Sequence, residues 1–134
     1  MNVLADKSVW SEALRRRRGG GDRAIRAHLA AIIDEGRIAM IGSIRQELLS
    51  GIKDESHFVR LRDYLRAFPD VPLGPADHEE AAAFYNRCRA KGIQGSNTDF
   101  LICATAVRHD FAIFSIDADF RRFAAVLPIA LLPW

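Results

Sequence analysis

The chain has 134 residues, of which 49% are hydrophobic and 27% are charged, and its formal net charge is +2. This length supports one hydrophobic core, and the composition is that of an ordinary globular protein, which argues against a disordered chain. The apolar runs are shorter than the ~20 residues needed to span a bilayer, and residues 1–6 lack the features of a signal peptide. We therefore expect a single domain over residues 1–134.

Strand-like and helix-like segments alternate along the chain. This order predicts an α/β fold: a three-layer α/β/α domain with a mainly parallel central sheet. In chain order we expect a strand at 2–6, a helix at 8–14, an arginine and glycine loop at 15–21, a helix at 22–35, a strand at 38–41, helices at 43–51 and 55–68, a strand at 71–73, helices at 75–90 and 96–109, a strand at 112–115, a helix at 117–123 and a strand at 129–132.

Several helix boundaries carry recognisable signals. Asp22 is a predicted N-cap, and Gly36 is a predicted stop for the helix between them. Two segments, 43–46 and 96–99, have the form of a capping box, in which the first and fourth side chains satisfy backbone amides. The cysteines, Cys88 and Cys103, match no metal-binding or redox spacing, so we expect buried thiols in a reducing cytoplasm.

Four acidic residues lie where strands or turns lead into helices. They are Asp6, Glu47, Asp99 and Asp117. Each could be an independent helix cap or surface acid, but together they are predicted to converge, because ligand sites of parallel sheets form at the carboxyl ends of the strands. Clustered carboxylates favour a hard divalent cation, Mg²⁺ or Mn²⁺. Such a site predicts phosphodiester hydrolysis by metal-activated water, since no nucleophilic triad is visible and no two histidines have metal-ligand spacing.

The motifs around these acids resemble the PIN-domain family. The similarity covers nearly the whole chain, in the family's order and spacing, through segments 3–10, 46–51, 92–106 and 114–120. Size and motif style most resemble VapC-type toxins of bacterial toxin–antitoxin pairs. The resemblance implies a Mg²⁺-dependent endoribonuclease, a VapB-like antitoxin partner and a homodimer.

The resemblance also assigns roles to individual residues. It implies that Asp6, Glu47, Asp99 and Asp117 are the catalytic, metal-binding quartet. Ser8 and Ser115 would be supporting hydroxyls near the metal. Asp119 would be a supporting or structural acid that caps a short helix.

One departure from the family pattern concerns the residue after the first aspartate. The family usually has Thr or Ser there, and this chain has Lys7. We favour a side chain that points away from the crevice. The alternative places the ammonium in the crevice, where it would contact a phosphate or replace part of a metal's charge and tune metal affinity.

Substrate contacts are suggested by basic and aromatic residues. The block Arg15, Arg16, Arg17 and Arg18 could grip RNA phosphates, or it could be a solvated loop or an inhibitor-docking edge. Trp10, Phe84 and Tyr85 are candidates for base stacking, although aromatics at helical spacing more often belong to a core. The helices around residues 47–68 suit docking of an antitoxin segment.

Two other functions compete with a nuclease. One is a PIN-fold binding module, weakened catalytically by Lys7, that acts through its antitoxin complex. The other is a receiver-type phospho-acceptor domain, which would need an acidic pair after the first strand and a late lysine. The chain has Asp6-Lys7 at the first position and no lysine after Lys91, so this second alternative is weak.

Overall fold

The computed structural model describes residues 1–14 and 22–134. The segment 15–21, which includes the predicted RNA-binding arginines Arg15–Arg18, lies outside the described residues. Within them, four strands form one sheet: β1 (Val3–Ala5), β2 (Ile38–Ala39), β3 (Ala112–Phe114) and β4 (Ala130–Leu131). Their order is β2-β1-β3-β4, and every neighbouring pair is parallel. The predicted parallel sheet is confirmed.

Helices connect and cover these strands. They are α1 (Lys7–Ala13), α2 (Arg23–Asp34), α3 (Gly42–Leu49), α4 (Glu55–Leu65), α5 (Pro75–Ala90), α6 (Asn97–His109) and α7 (Asp119–Ala124). None of the helices in the described ranges is both long and apolar enough to cross a membrane. The order of these helices and the four strands along the chain confirms the α/β architecture predicted from the alternating pattern.

The hydrophobic core lies around the central strands. All three residues of β1 are fully buried, and Ile113 and Phe114 of β3 are as well. A strand covered on both faces by helices needs a continuous apolar run, which is what these two segments supply. Cys88 and Cys103 are free and buried, as predicted from their spacing. Burial raises the pKa of the Cys103 thiol, because the thiolate would lose its hydration.

Two boundary signals behave as expected. The Asp22 side chain accepts a hydrogen bond from the Ala24 amide, 2.8 Å away, and α2 is followed by Gly36 at φ +70°. The capping box before α6 is complete: the Asp99 amide donates to Ser96 Oγ at 3.1 Å, and the Ser96 amide donates to Asp99 Oδ2 at 3.0 Å. These local signals were sufficient because both partners lie within three residues of each other.

Two predictions are wrong. The capping box at 43–46 does not form, because α3 begins at Gly42 with Ile41 as its N-cap and Ser43 Oγ finds no hydrogen-bond partner among the described residues. Ile41 is fully buried, so its packing sets the start of the helix. The strand predicted at 71–73 is reduced to an isolated bridge between Met40 and Asp70. Proline has no amide hydrogen to donate to a sheet, so Pro72 stops this pairing.

Candidate active site

The centre of the site lies where β1 and β3 end side by side. Their parallel register pairs Ala5 with Phe114. The next residue of each strand, Asp6 and Ser115, therefore emerges at the same sheet edge. The Asp6 amide donates to the Phe114 carbonyl at 3.1 Å, so the backbone pairing extends to the carboxylate-bearing residue. The fold thus joins two parts of the chain that are more than one hundred residues apart.

Two hydroxyl groups hold the Asp6 carboxylate. Ser8 Oγ donates to Asp6 Oδ1 at 2.5 Å, and Ser115 Oγ donates to Asp6 Oδ2 at 2.9 Å. The Val9 amide adds a longer bond of 3.4 Å to Oδ1, which makes Asp6 the N-cap of α1. With both oxygens engaged, the carboxylate is fixed in orientation. Ser8 and Ser115 therefore contact Asp6 directly, and their role as supporting hydroxyls near a metal stays a prediction.

A cleft of about 400 Å³ opens beside Asp6. All four predicted acids line it: Asp6, Glu47, Asp99 and Asp117. They come from the end of β1, from α3, from the first turn of α6 and from the loop after β3. The structure brings together the carboxylates that the sequence suggested would converge at one sheet edge.

The two innermost carboxylates are electrostatically unfavourable. Burial raises the pKa of Asp6 above its usual 3.8, and the nearby Asp117 charge raises it further, while the hydrogen bonds from Ser8, Ser115 and Val9 oppose the rise. Burial also raises the pKa of Glu47 above 4.5; Lys7 lowers it, and the charges of Asp99 and Asp6 raise it again. The cleft is therefore short of positive charge.

Lys7 lines this cleft together with the acids. Its ammonium is near enough to Glu47 to lower the pKa of that carboxylate. The expectation that Lys7 points away from the crevice is therefore wrong. The side chain follows directly after Asp6 at the start of α1, and the excess of carboxylates at the cleft attracts it.

The remaining predicted residues differ in their placement. Asp117 Oδ1 accepts from the Asp119 amide at 2.9 Å, which fixes the loop between β3 and α7. The Asp119 carboxylate itself pairs with Arg122 in the next turn of α7. It does not cap α7, because the N-cap is Ala118 and no side chain accepts a cap hydrogen bond there, so the prediction that Asp119 caps the short helix is wrong. Trp10 and Phe84, which were candidates for base stacking, are 0% and 1% exposed and belong to the core, so that prediction is wrong. Tyr85 is half-buried and packs edge-on against Phe100.

Sequence reasoning missed some residues that contribute to the site. Ser11 and Glu12 also line the acidic cleft. Their spacing from Ser8 is i+3 and i+4 on α1, a pattern that places side chains on one helix face and could have revealed them. Gly95 was also missed. A Cβ atom there would lie 2.6 Å from Phe123 Cζ, so a larger residue at this point of the loop leading to Asp99 would clash with the Phe123 ring.

The donor set suits a hydrated divalent cation. Its side-chain donors are carboxylate and hydroxyl oxygens, which hard cations prefer. Among the residues that the structure describes, no three His, Cys, Asp or Glu side chains stand close enough to form a metal cage on their own. Mg²⁺ does not need such a cage, since it usually retains several waters and takes only one or two carboxylates directly. Carboxylates spaced around an open cleft therefore fit this ion.

Comparisons with known proteins agree with this arrangement. The sequence matches the family model of the PIN domain over residues 3–126. A VapC ribonuclease of Mycobacterium bovis and the ribonuclease VapC11 of Mycobacterium tuberculosis are each 32% identical over 126 residues, which is 92% of this chain and 92% of each relative.

Solved structures share the fold at lower sequence identity. VapBC2 from Rickettsia felis, bound to a DNA fragment from its promoter, has a TM-score of 0.80 at 15% identity, covering 100% of this chain and 99% of the other. FitAcB from Neisseria gonorrhoeae has a TM-score of 0.77 at 20% identity, covering 98% and 96%. The family model and the relatives confirm the resemblance drawn from the four motifs: the chain belongs to the PIN domain family, and the relatives it matches are VapC ribonucleases.

Proposed function

We propose that the protein is a metal-dependent endoribonuclease toxin of the VapC type, neutralised by a cognate antitoxin. One observation carries the proposal: four carboxylates from separate parts of the chain line a single cleft, where Lys7 is the one basic residue among the described lining residues. The relatives named VapC ribonucleases support RNA as the substrate class. Phosphodiester hydrolysis is the reaction that such a carboxylate site suits best.

We propose Mg²⁺ as the cofactor, with Mn²⁺ as an alternative, held by Asp6, Glu47, Asp99 and Asp117. When bound, the ion would neutralise charge on the phosphate and lower the pKa of a water molecule to make it a nucleophile. The oxygen donors and the raised pKa values of Asp6 and Glu47 support this choice, because both carboxylates gain from an added positive charge.

The four acids would contribute differently. Asp6 is the rigid member, since hydroxyl donors hold both of its oxygens. Asp99 is oriented by its capping box, and Asp117 by the Asp119 amide. Within the described residues the Glu47 carboxylate is influenced only by burial and by other charges, without a hydrogen bond to orient it. We propose that Glu47 turns to adapt to the substrate, while the other three fix the position of the phosphate.

Lys7 supports a second candidate function. An ammonium in the cleft supplies positive charge where a metal would, and it would weaken metal binding by repulsion. A PIN-fold binding module with weakened catalysis, acting through its antitoxin complex, would keep all the packing described above. Binding of Mn²⁺ without turnover of RNA would distinguish this function from the nuclease.

The partner is proposed from charge and from the solved relatives. VapBC2 and FitAcB share this fold, and they support an antitoxin partner for this chain. We propose that a helical antitoxin segment docks against residues 47–68 and presents an arginine to the acidic cleft. A peptide inhibitor that works equally well after its arginines are replaced by alanine would contradict this.

Further features of the working molecule are proposed from the sequence. We propose that residues 1–134 act as one domain, that the domain forms a homodimer, and that Arg15–Arg18 contact RNA phosphates. The reduced, buried cysteines and an RNA substrate favour a cytoplasmic location.

The test is metal-dependent cleavage of RNA. Purified protein and the Asp99→Asn variant would be incubated with single-stranded and looped RNAs in Mg²⁺, in Mn²⁺ and in EDTA. We expect cleavage with either metal, none in EDTA, and a loss of more than about a hundredfold in the variant, because residues that only support metal ligands already cost about 10 to 100-fold. Circular dichroism of the variant controls for folding.

Two outcomes would contradict the nuclease. Cleavage that persists in EDTA or in Asp99→Asn would point to a contaminating ribonuclease. Intact RNA under all conditions, with Mn²⁺ still bound by the wild type, would favour the binding module.

A further inference from the structure

A second cavity of about 430 Å³ adjoins the acidic cleft. Ile116 and Asp117 line both cavities, so the loop that carries Asp117 borders the two. The lining of the second cavity includes the apolar residues Ile113, Leu131 and Leu132. Nothing in the proposed chemistry of the four acids uses this space.

Trp134 forms one side of this second cavity. Its indole N–H donates to the Ser115 carbonyl at 3.1 Å, and its ring lies 6.4 Å from the Phe114 ring, centroid to centroid. The side chain nevertheless remains 53% exposed. A large aromatic ring that is held at its polar atom yet open to solvent is a preorganised surface for stacking. Its anchor, Ser115, is the residue that also holds Asp6.

Arg121 supplies a positive charge to the same cavity. It lies on α7 and is exposed. Its neighbour Arg122 is engaged with Asp119, whereas Arg121 makes no ion pair within the described residues. The guanidinium is therefore available to a negatively charged ligand beside the Trp134 ring.

We propose that this second cavity is a nucleotide-binding subsite for single-stranded RNA. The base of a nucleotide next to the scissile phosphate stacks on Trp134, and a neighbouring phosphate pairs with Arg121. Stacking on an aromatic ring requires an unpaired base and tolerates any base identity, so the subsite selects for single strands without reading sequence. This inference rests on the proposed function and extends it by naming where the substrate strand lies.

The test measures RNA binding separately from cleavage. Binding of a short single-stranded RNA to the Asp99→Asn protein in Mg²⁺ is measured by fluorescence anisotropy of the labelled RNA and by tryptophan emission. Because Trp10 is fully buried, quenching on binding reports on Trp134. In that background, Trp134→Ala is expected to raise Kd about tenfold, equivalent to ~1.4 kcal/mol, and to abolish the quenching.

Matched variants separate stacking from structure. Trp134→Phe keeps a ring but loses the bond to the Ser115 carbonyl, and it is expected to bind RNA within about threefold of the parent because stacking needs only the ring. Arg121→Ala is expected to reduce the slope of log K against log salt by about one, as for one lost phosphate contact. Arg89→Ala, on α5 and lining neither cavity, is expected to leave that slope unchanged. Thermal melts check that each variant is folded.

Each result decides the proposal. Equal RNA affinity in Trp134→Ala and the parent would overturn it. Equal loss of RNA affinity in Trp134→Phe and Trp134→Ala would also overturn it, because it would show that Trp134 acts by holding Ser115. Wild type that binds no RNA in Mg²⁺ would overturn it too, and so would an antitoxin peptide that quenches Trp134 when RNA does not. If RNA binds through Trp134 but is never cleaved, the subsite is supported and the proposed nuclease activity is contradicted. If Trp134→Ala cleaves RNA as fast as the wild type, the nuclease activity is supported and the subsite is contradicted.

Discussion

Asp6 and Asp77 have the same side chain and the same exposure, 6%, but opposite electrostatic surroundings. Asp6 receives only neutral donors and lies near another carboxylate, and its pKa is raised. Asp77, at the start of α5, has its pKa lowered below 3.8, first by the Gly74 amide and then by His109 and Arg108. Burial is the largest influence on the pKa of Asp6, whereas the hydrogen bond from the Gly74 amide is the largest influence on that of Asp77. Equal side-chain exposure therefore does not fix the direction of the pKa shift, because desolvation, donors and neighbouring charges differ between the two sites.

Asp77 is a structural carboxylate, whereas Asp6 belongs to the proposed metal site. Asp77 Oδ1 lies 3.0 Å from Arg108 Nε and 3.1 Å from His109 Nε2, and Oδ2 accepts from the Gly74 amide at 2.8 Å. These contacts tie the start of α5 to the end of α6. In the acidic cleft Lys7 is the one basic residue among the described lining residues, and in the proposed function a bound cation would supply the missing positive charge.

The largest effect is expected from removing the compensated carboxylate. Asp77→Ala should lower the free energy of unfolding by about 2–3 kcal/mol, since it deletes three hydrogen bonds and leaves Arg108 without its partner. Urea unfolding of the two proteins measures the change. RNA cleavage below the melting temperature should be retained, because Asp77 lies outside the acidic cleft.

Acid titration sharpens this prediction. A carboxylate with a lowered pKa stabilises the fold fully above its ordinary value of 3.8, and that contribution is lost as the pH falls through the lower folded-state pKa. The stability difference between wild type and Asp77→Ala should therefore narrow below pH 3.8. A difference that stays constant through this range would show that packing, and not charge, is the role of Asp77.

Removing a carboxylate from the acidic cleft is expected to change the free energy of unfolding in the opposite direction. Glu47→Gln should raise the free energy of unfolding by about 1 kcal/mol in EDTA, because it removes a carboxylate repelled by Asp99 and Asp6. Adding Mg²⁺ should stabilise wild type more than the variant, since ligand binding adds stability according to its affinity. Paired thermal melts with EDTA and with Mg²⁺ measure both effects. If Mg²⁺ stabilises Glu47→Gln as much as it stabilises the wild type, Glu47 is not part of the metal site.

The pH dependence of the metal-free protein follows from the raised pKa values of Asp6 and Glu47. A raised folded-state pKa stabilises the fold below the ordinary values of 3.8 and 4.5, and this contribution is lost as the pH rises through the folded-state pKa. In EDTA, Glu47→Gln should therefore flatten the rise in stability on mild acidification. An equal slope in the two proteins would contradict the raised pKa of Glu47.

The smallest effect concerns Lys7. Lys7→Thr should tighten Mg²⁺ binding by about threefold, because it removes a positive charge from the cleft, although exposure of Lys7 screens the repulsion. Isothermal titration with Mg²⁺ measures the affinity, and cleavage rates follow in the same buffers. Lys7→Arg keeps the charge and serves as the control. Unchanged affinity and rate in Lys7→Thr would exclude Lys7 as a modulator.

Local signals predicted many helix ends correctly and failed where tertiary contacts intervened. The Ser96–Asp99 box was predictable because its hydrogen bonds close within one turn. The similar pattern at Ser43 failed because burial of Ile41 set the start of α3, and Arg45 is bound to Asp70 and to the Leu65 carbonyl, which anchors the helix to the end of α4. No spacing rule contains those distant partners.

The sequence by itself determined the α/β alternation, the parallel sheet and the positions of the four acids, because hydrophobic periodicity and the carboxyl ends of strands are local properties. Only the tertiary structure decided that Ser115 would join Ser8 on Asp6, that Lys7 would enter the cleft, and that Trp134 rather than Trp10 would remain exposed. Those outcomes depend on strand register and on which faces are covered, and both are fixed by contacts between residues far apart in the chain.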